Sequence, residues 1–434
     1  MVEAVGIRVG DNDNNSHSGR TLAVPSTIAV MESPEQRQVP VAVYLVGFVV
    51  LGSALSMAGP ALSHLRDRVG TDDGGISLVF VGSSSGYMLG SFLGGRFLDR
   101  GHGHQVWAGC MAMSIVAIVV ISQMRDLAPL VAVFVVLGIV CGVGDVSGNT
   151  LVVWSRPESP GAALNALHLF FAIGALSAPL LTNRAIAWTD SLWPVAVPLA
   201  ALTVFCGYVL LTTPAPKKTR AAKHNQDGVA ATASVRRGQL AIVALFFFVY
   251  VALEVGFANW IHSYVEQIHY GGANTATGVT VIFWVGFSMG RVVSIWLAGR
   301  FSAGWMLVGS MSLALLASSV LVVVNGGNIA LWIVTFLFGA SIAPQFASMI
   351  AYAEAHFALS GAATSAFVGA AGLGGLVMPW TLGQLFDAHG PGVLPPVTLV
   401  ACLVTIAVGL WVRHIVHVSE VQRPPATSMN APVT

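Results

Sequence analysis

Apolar runs of about twenty residues, the length that spans a bilayer as a helix, recur along this chain with short polar breaks between them. No other feature constrains the fold as strongly. Lipid offers the backbone no hydrogen-bond partner, so such a run must satisfy its own amides as a helix. Twelve runs fit: 41–60, 76–95, 106–124, 130–154, 162–182, 193–212, 240–262, 278–297, 304–324, 329–353, 362–385 and 393–414. Charged residues make up only 9% of the chain, where a soluble globular protein carries about 25%. The expected fold class is an all-α membrane protein of twelve transmembrane helices. Glycine, 47 in all, is frequent within the runs and lets membrane helices approach closely.

The loops fix an orientation. With the N-terminus cytoplasmic, Arg66, Arg68, Arg125 and Arg184 fall outside, and the other sixteen of the 20 Lys and Arg fall inside. The positive-inside rule therefore places both termini in the cytoplasm and predicts a multi-pass protein of the cell membrane. The net charge of +1 gives no reason to expect nucleic acid. Cys110, Cys141, Cys206 and Cys402 all lie in apolar runs and read as small packing residues. No P-loop, metal-ligand spacing or nucleophile motif is present, so neither an enzyme nor a cofactor is expected.

One stretch interrupts the apolar pattern: "PAPKKTRAAKHNQDGVAATASVRRG", polar and basic, at 214–238. The domain reading follows from it. Residues 1–38 form a polar, disordered cytoplasmic tail, 39–213 a first six-helix half, and 214–238 a cytoplasmic linker. Residues 239–416 form a second six-helix half and 417–434 a cytoplasmic tail. "GYMLGSFLGGRFLDRG" at 86–101 repeats weakly as "GFSMGRVVSIWLAGRF" at 286–301, with Gly86/Gly286, Gly90/Gly290 and Arg100/Arg300 in step. Two pseudo-symmetric six-helix halves are the major facilitator architecture.

"GGRFLDRGHGHQ" at 94–105 supports that reading. Its Gly95, Asp99, Arg100 and Gly103 resemble the superfamily's signature loop, G-x-x-x-D-[RK]-x-G. The resemblance implies a conformational latch between the halves, in which glycines allow a tight turn and the charges cap and pair across the cytoplasmic surface. His104 stands where a second basic residue is usual.

Polar residues inside the runs are the candidates for function. A charge at mid-membrane costs roughly 2.5–3.5 kcal/mol on insertion scales, so it usually faces a cavity. Asp145 lies about two-thirds along the fourth run, and Asn149, four residues on, shares its helix face. Asn165 and His168 of the fifth run are three apart and can face one cavity; His168 reads equally as a titrating group or as a structural histidine. In the seventh run Tyr250 and Glu254 share a face, with Glu254 toward the outer half. Asn259 falls off that face. Trp260 reads as an interface-belt tryptophan, and Trp284, deeper, as a surface on which a sugar could stack. Gln345 and Gln384 are lesser candidates. Glu354 and Asp387 sit near helix ends, where solvated or capping roles are expected.

Longer stretches carry a closer resemblance. "LSHLRDRVGTDDGGISLVFVGSSSGYMLGSFLGGRFLDR", "GDVSGNTLVVW", "NALHLFFAIGALSAPLL", "EVGFANWIHSYVE" and "AYAEAHFALSGAATSAFVGAAGLGGLVMPW" are similar to the sodium-dependent glucose transporter-like proteins. These belong to the fucose–galactose–glucose symporter branch of the major facilitator superfamily. The resemblance spans the first to the last apolar run. It implies uptake of a hexose coupled to a cation. An acid on the fourth helix handles the coupling proton or the sugar there, and Asp145 matches it. An Asn/Gln pair at the start of the fifth helix contacts sugar, and Asn165 and His168 match it. A second acid belongs on the first helix; here that run has Ser53 and Ser56 but no acid, and either Glu254 substitutes or the coupling differs.

The expectation is thus a secondary active transporter that alternates access around a midplane site, with a sugar and H⁺ or Na⁺ as partners. Substrate contacts fall to Asn149, Asn165, His168, Asn259, Trp260 and Trp284, and cation coupling to Asp145 and Glu254, with Na⁺ placed near Asp145. A rival within transport is an exporter of drugs or metabolites. A non-transporting membrane sensor stands further off, since neither tail is long enough to bury a domain.

Overall fold

The computed structural model describes residues 41–99, 101–156, 160–216, 235–323, 329–357 and 361–421, and every regular element among them is helical. The tails at 1–38 and 417–434, the linker at 214–238 and Arg100 lie wholly or largely outside these residues. Before the linker come α1 (Val41–Ser56), α2 (Ala58–Val69), the single turn α3 (Asp73–Ile76), α4 (Leu78–Asp99), α5 (Gly103–Ile121), α6 (Leu127–Ser155), α7 (Pro160–Thr189) and α8 (Ala196–Thr212). After it come α9 (Val235–Gln267), α10 (Gly272–Ala298), α11 (Ala303–Val323), α12 (Ile329–Ile342), α13 (Gln345–His356), α14 (Gly361–His389) and α15 (Leu394–Val421). Among the described residues, 11 spans are long and apolar enough to cross a bilayer, with α12 and α13 counted as one, and α1 with α2 make the twelfth.

Proline explains the two breaks. Pro60 has no N–H for the carbonyl of Ser56, four residues back, and its ring crowds that carbonyl. Accordingly α1 ends at Ser56, the axis bends by 40°, and α2 continues to Val69, well beyond the expected boundary at 60. Pro344 likewise stands at the junction of α12 and α13. Pro179 and Pro379 lie inside α7 and α14 without ending them.

The glycines that repeat in sequence mark how each half is built. A Cβ on Gly86 or Gly90 of α4 would strike the carbonyl of Val135 or Ile139 on α6, and one on Gly142 of α6 would strike that of Tyr87. In the second half, a Cβ on Gly286 or Gly290 of α10 would strike the carbonyl of Phe336 or Ala340 on α12. Both pairs therefore pack backbone against backbone, which small residues allow in lipid. A second pair repeats too: Gly174 of α7 closes on Val49 and Ser53 of α1, as Gly374 of α14 closes on Phe248 and Ala252 of α9. The halves meet through α7 against α10 and α4 against α14. Ser84 donates to the Gly375 carbonyl at 3.1 Å along the second of these seams.

The signature loop departs from its expected geometry. Gly95 sits inside α4 and Gly103 opens α5, so neither makes the turn. Gly101 does, with φ 81, a left-handed value that favours glycine. Two residues, Gly101 and His102, also separate Arg100 from Gly103, one more than the signature pattern has. His104 is structural: its Nδ1–H donates to the Thr213 carbonyl at 3.0 Å and its Nε2 lies 2.9 Å from the Tyr44 hydroxyl, tying α5 to α1 and to the end of α8.

Candidate functional site

Close packing of α4 on α6 brings a tyrosine to the membrane-embedded acid. The Tyr87 hydroxyl donates to Asp145 Oδ2 at 2.8 Å. Asn149 Nδ2 donates to Asp145 Oδ1 at 3.1 Å and to the Asp145 carbonyl at 2.9 Å, as the four-residue spacing on one helix face anticipates. Each carboxylate oxygen thus has one neutral donor, and among the described residues no Lys, Arg or His pairs with the carboxylate. Asp145 and Asn149 are both partly buried. Three oxygen-bearing groups, the Asp145 carboxylate, the Tyr87 hydroxyl and the Asn149 amide, converge where a Na⁺ ion could be held. Alternatively, a proton could neutralise the acid there.

His168 of α7 is partly buried and meets the Phe48 ring edge-on at 6.3 Å between centroids. Gly148 of α6 leaves the room that the same Phe48 ring occupies. Phe48 of α1 therefore joins α6 to the His168 end of α7. Asn165 lies on α7 one turn before His168; its side chain is outside the described residues, as are the side chain of Asp99 and all of Arg100.

The second acid has different company. Glu254 of α9 is partly buried and lies in the field of Arg291 on α10, and His168 across the two halves lies in that field as well. Arg291 rests over the Phe287 ring with Cζ 4.8 Å from its centroid, and its buried Nε makes no hydrogen bond. Arg291 belongs to α10, seven residues from its end, and not to the inner loop charges with which its place in the chain groups it. Glu254 carries a cationic neighbour and Asp145 does not. The repeat also places this acid. Ser53 and Ala252 are in step about the Gly174 and Gly374 contacts, so Glu254 stands in the second half where Leu55 stands in the first.

Trp260 is not at an interface. It is completely buried between Phe80 and Phe386, and its Nε1 donates to the Pro379 carbonyl at 2.9 Å. An indole with its N–H spent and no exposed surface offers nothing to a sugar or to headgroups. Asn259 donates back to the Val255 carbonyl at 2.9 Å, and its backbone lies against Gly59 of α2. Trp284 is 9% exposed, set edge-on to Phe283 and Phe287. Gln345 is buried, and Gln384 donates to the Gly74 carbonyl at 3.0 Å. Glu354 and Asp387 are exposed, as expected for residues near helix ends.

Tyr87 and Arg291 are the residues that sequence reasoning missed. Each directly follows a repeated glycine, Gly86 or Gly290, and that adjacency was the available signal. Among the described residues no cluster of His, Cys, Asp and Glu is suited to a transition metal.

Two in-step halves of membrane-crossing helices, joined along paired seams and carrying isolated acids at mid-helix, define a multi-pass membrane transporter. Residues 44–379 match the Major Facilitator Superfamily, and the chain belongs to that family. It is 28% identical to sodium-dependent glucose transporter 1 of Xenopus laevis, over 76% of this chain and 73% of that one. It is also 28% identical to sodium-dependent glucose transporter 1A of Mus musculus, over 82% of this chain and 91% of that one. A solved D-xylose–proton symporter superposes with a TM-score of 0.73 over 86% of this chain and 96% of that one; at 12% identity the likeness is one of fold.

Proposed function

We propose that this protein is a cation-coupled sugar transporter of the cell membrane, with both termini cytoplasmic. Its halves, 39–213 and 239–416, rock about a midplane site to alternate access. The observation that carries the reading is the Asp145 carboxylate held by Tyr87 and Asn149 without a cationic partner. Such a group has an unfilled need for positive charge that a coupling ion meets. The printed names of the relatives, sodium-dependent glucose transporters, support a hexose and Na⁺; the proton-coupled fold neighbour keeps H⁺ in play.

In this reading Asp145 binds the coupling cation, and Asn149, Asn165 and His168 hydrogen-bond the sugar, with Trp284 lining the site. Glu254 lies in the field of Arg291, so it has less need of a coupling cation than Asp145. The loop residues Gly95, Asp99, Arg100 and Gly103 brace the halves on the cytoplasmic side. Cation binding at Asp145 neutralises the carboxylate, and that lowers the cost of carrying it through an occluded, dry intermediate.

The test is uptake of radiolabelled glucose into proteoliposomes under an imposed Na⁺ gradient, an imposed H⁺ gradient, or neither. Accumulation driven by one gradient supports the proposal and names the ion. Absence of glucose, galactose and fucose uptake under both contradicts it.

A further inference from the structure

Away from the central site, the halves are closed on each other at the end bearing Arg66 and Arg184, the outer end in the proposed orientation. Four hydrogen bonds cross there, one from Asn183 Nδ2 of α7 to Asn274 Oδ1 of α10 at 2.9 Å and three nearer α2 and α3. Ser63 of α2 donates to Glu266 Oε2 on α9 at 2.6 Å, Gln267 of α9 donates to Asp73 Oδ2 on α3 at 2.8 Å, and Gln384 of α14 donates to the Gly74 carbonyl. Beneath the first of these lies His262, one helical turn before Glu266. Its side chain is 4% exposed, and neither ring nitrogen makes a hydrogen bond. Its Nδ1 lies 3.6 Å from Glu266 Oε2, the oxygen that holds Ser63.

We propose that His262 is a proton-binding site that operates the outer closure, distinct from the cation site at Asp145. A neutral imidazole buried without a partner wastes both its polar atoms. A protonated one has a counter-ion in Glu266, and the attraction fixes that carboxylate where Ser63 reaches it. When α2 swings away from α9, Ser63 leaves, the pocket opens to water, and the imidazole exchanges its proton with the outside. The protonated form therefore belongs to the closed state, and the closed population rises as pH falls.

Other ionisable groups stand nearby. On the elements packed around this end they are His64, Arg66, Asp67 and Arg68 of α2, Asp72 and Asp73 at α3, Arg184 of α7, and Asp387 and His389 of α14. Arg66 acts on Glu266 and is itself held by Asp73 at 2.8 Å and Asp67 at 3.0 Å. It keeps its charge throughout. His64 pairs across 3.6 Å with Asp190, on its own half, so its titration does not cross the closure.

Spin labels on Ala187→Cys, near the outer end of α7, and Ala388→Cys, near that of α14, report the separation of the halves; both sites are exposed and the four native cysteines are buried. Pulsed electron–electron resonance on the full chain in lipid nanodiscs at pH 5.5 and pH 8 reads the populations without depending on uptake, so this test and that of sugar transport can fail separately. The short distance is expected to gain at least twofold in population at pH 5.5, and His262→Gln is expected to remove that gain. Ser63→Ala, on the other half and partly exposed, carries the test if His262→Gln does not fold; it is expected to lower the short population and flatten its pH response. A parent with no pH response, or a variant that keeps the parent's response, overturns the proposal.

Discussion

Tyr87 and Asp145 are joined at 2.8 Å from two different helices, 58 residues apart in sequence, and the bond exists because α4 and α6 pack glycine to backbone. The second half keeps the packing but not the chemistry. Phe287 stands in step with Tyr87, one residue after a repeated glycine, and has no hydroxyl to offer. The pseudo-symmetric frame therefore carries an asymmetric site.

Removing only that hydroxyl tests its part. Tyr87→Phe keeps the ring and so the packing. A hydrogen bond to a charged group is worth about 1.5–3 kcal/mol, which corresponds to a roughly 10–100-fold change in a binding constant. The half-saturating concentration of the coupling cation, measured from uptake rates in proteoliposomes, is expected to shift by an amount in that range. An unchanged value separates Tyr87 from coupling.

Glu254 and Arg291 are expected to behave as a pair. Glu254→Ala removes the acid that lies in the field of Arg291 without breaking a direct ion pair, and is expected to destabilise the protein by about 1–3 kcal/mol. Glu254→Ala with Arg291→Met removes both charges and is expected to recover most of that loss. Thermal unfolding in detergent of the two singles and the double completes the cycle. Additive effects contradict the pairing.

The helix seams give a stability prediction with a built-in control. Gly142→Val or Gly290→Val pushes a side chain into a facing backbone carbonyl and is expected to cost at least about 1–3 kcal/mol. Gly95→Ala meets no atom within 4 Å and, inside a helix, is expected to be neutral or to stabilise by up to about 1 kcal/mol. Unfolding temperatures check both directions.

Trp260→Phe removes the N–H that reaches Pro379. The expected cost is about 1 kcal/mol of stability for the lost hydrogen bond, with no change in the sugar concentration at half-maximal uptake. A large change in sugar affinity at constant stability places Trp260 back in the binding site.

The number and order of the spans were legible in the sequence, because the bilayer imposes both a length and a composition on each. The glycine repeat was legible too, and the structure gives it a cause in paired close contacts. The bend at Met57 was hidden inside one apolar run, although Pro60 marked it. Asp145 and Asn149 could be paired from spacing alone, since both lie on one helix. Tyr87 could not, because its partner is on another helix and its own neighbourhood reads as ordinary packing. Arg291 was masked by position: near the end of a run, it reads as a loop charge. Trp260 failed for the reverse reason. Its depth along the helix resembles an interface, but the face it presents is set by α14, which no local pattern reveals.

The central claim is that Asp145 couples an ion to the sugar, and Asp145→Asn addresses it most directly. The variant keeps the size, exchanges one of the two acceptor oxygens for a donor, and removes the charge. Proteoliposomes containing parent and variant are compared for gradient-driven accumulation of radiolabelled glucose and for glucose counterflow without a gradient. The account predicts that accumulation disappears while counterflow persists, since the sugar path is intact and only the ion site is lost. Accumulation at the parent's rate in Asp145→Asn contradicts it.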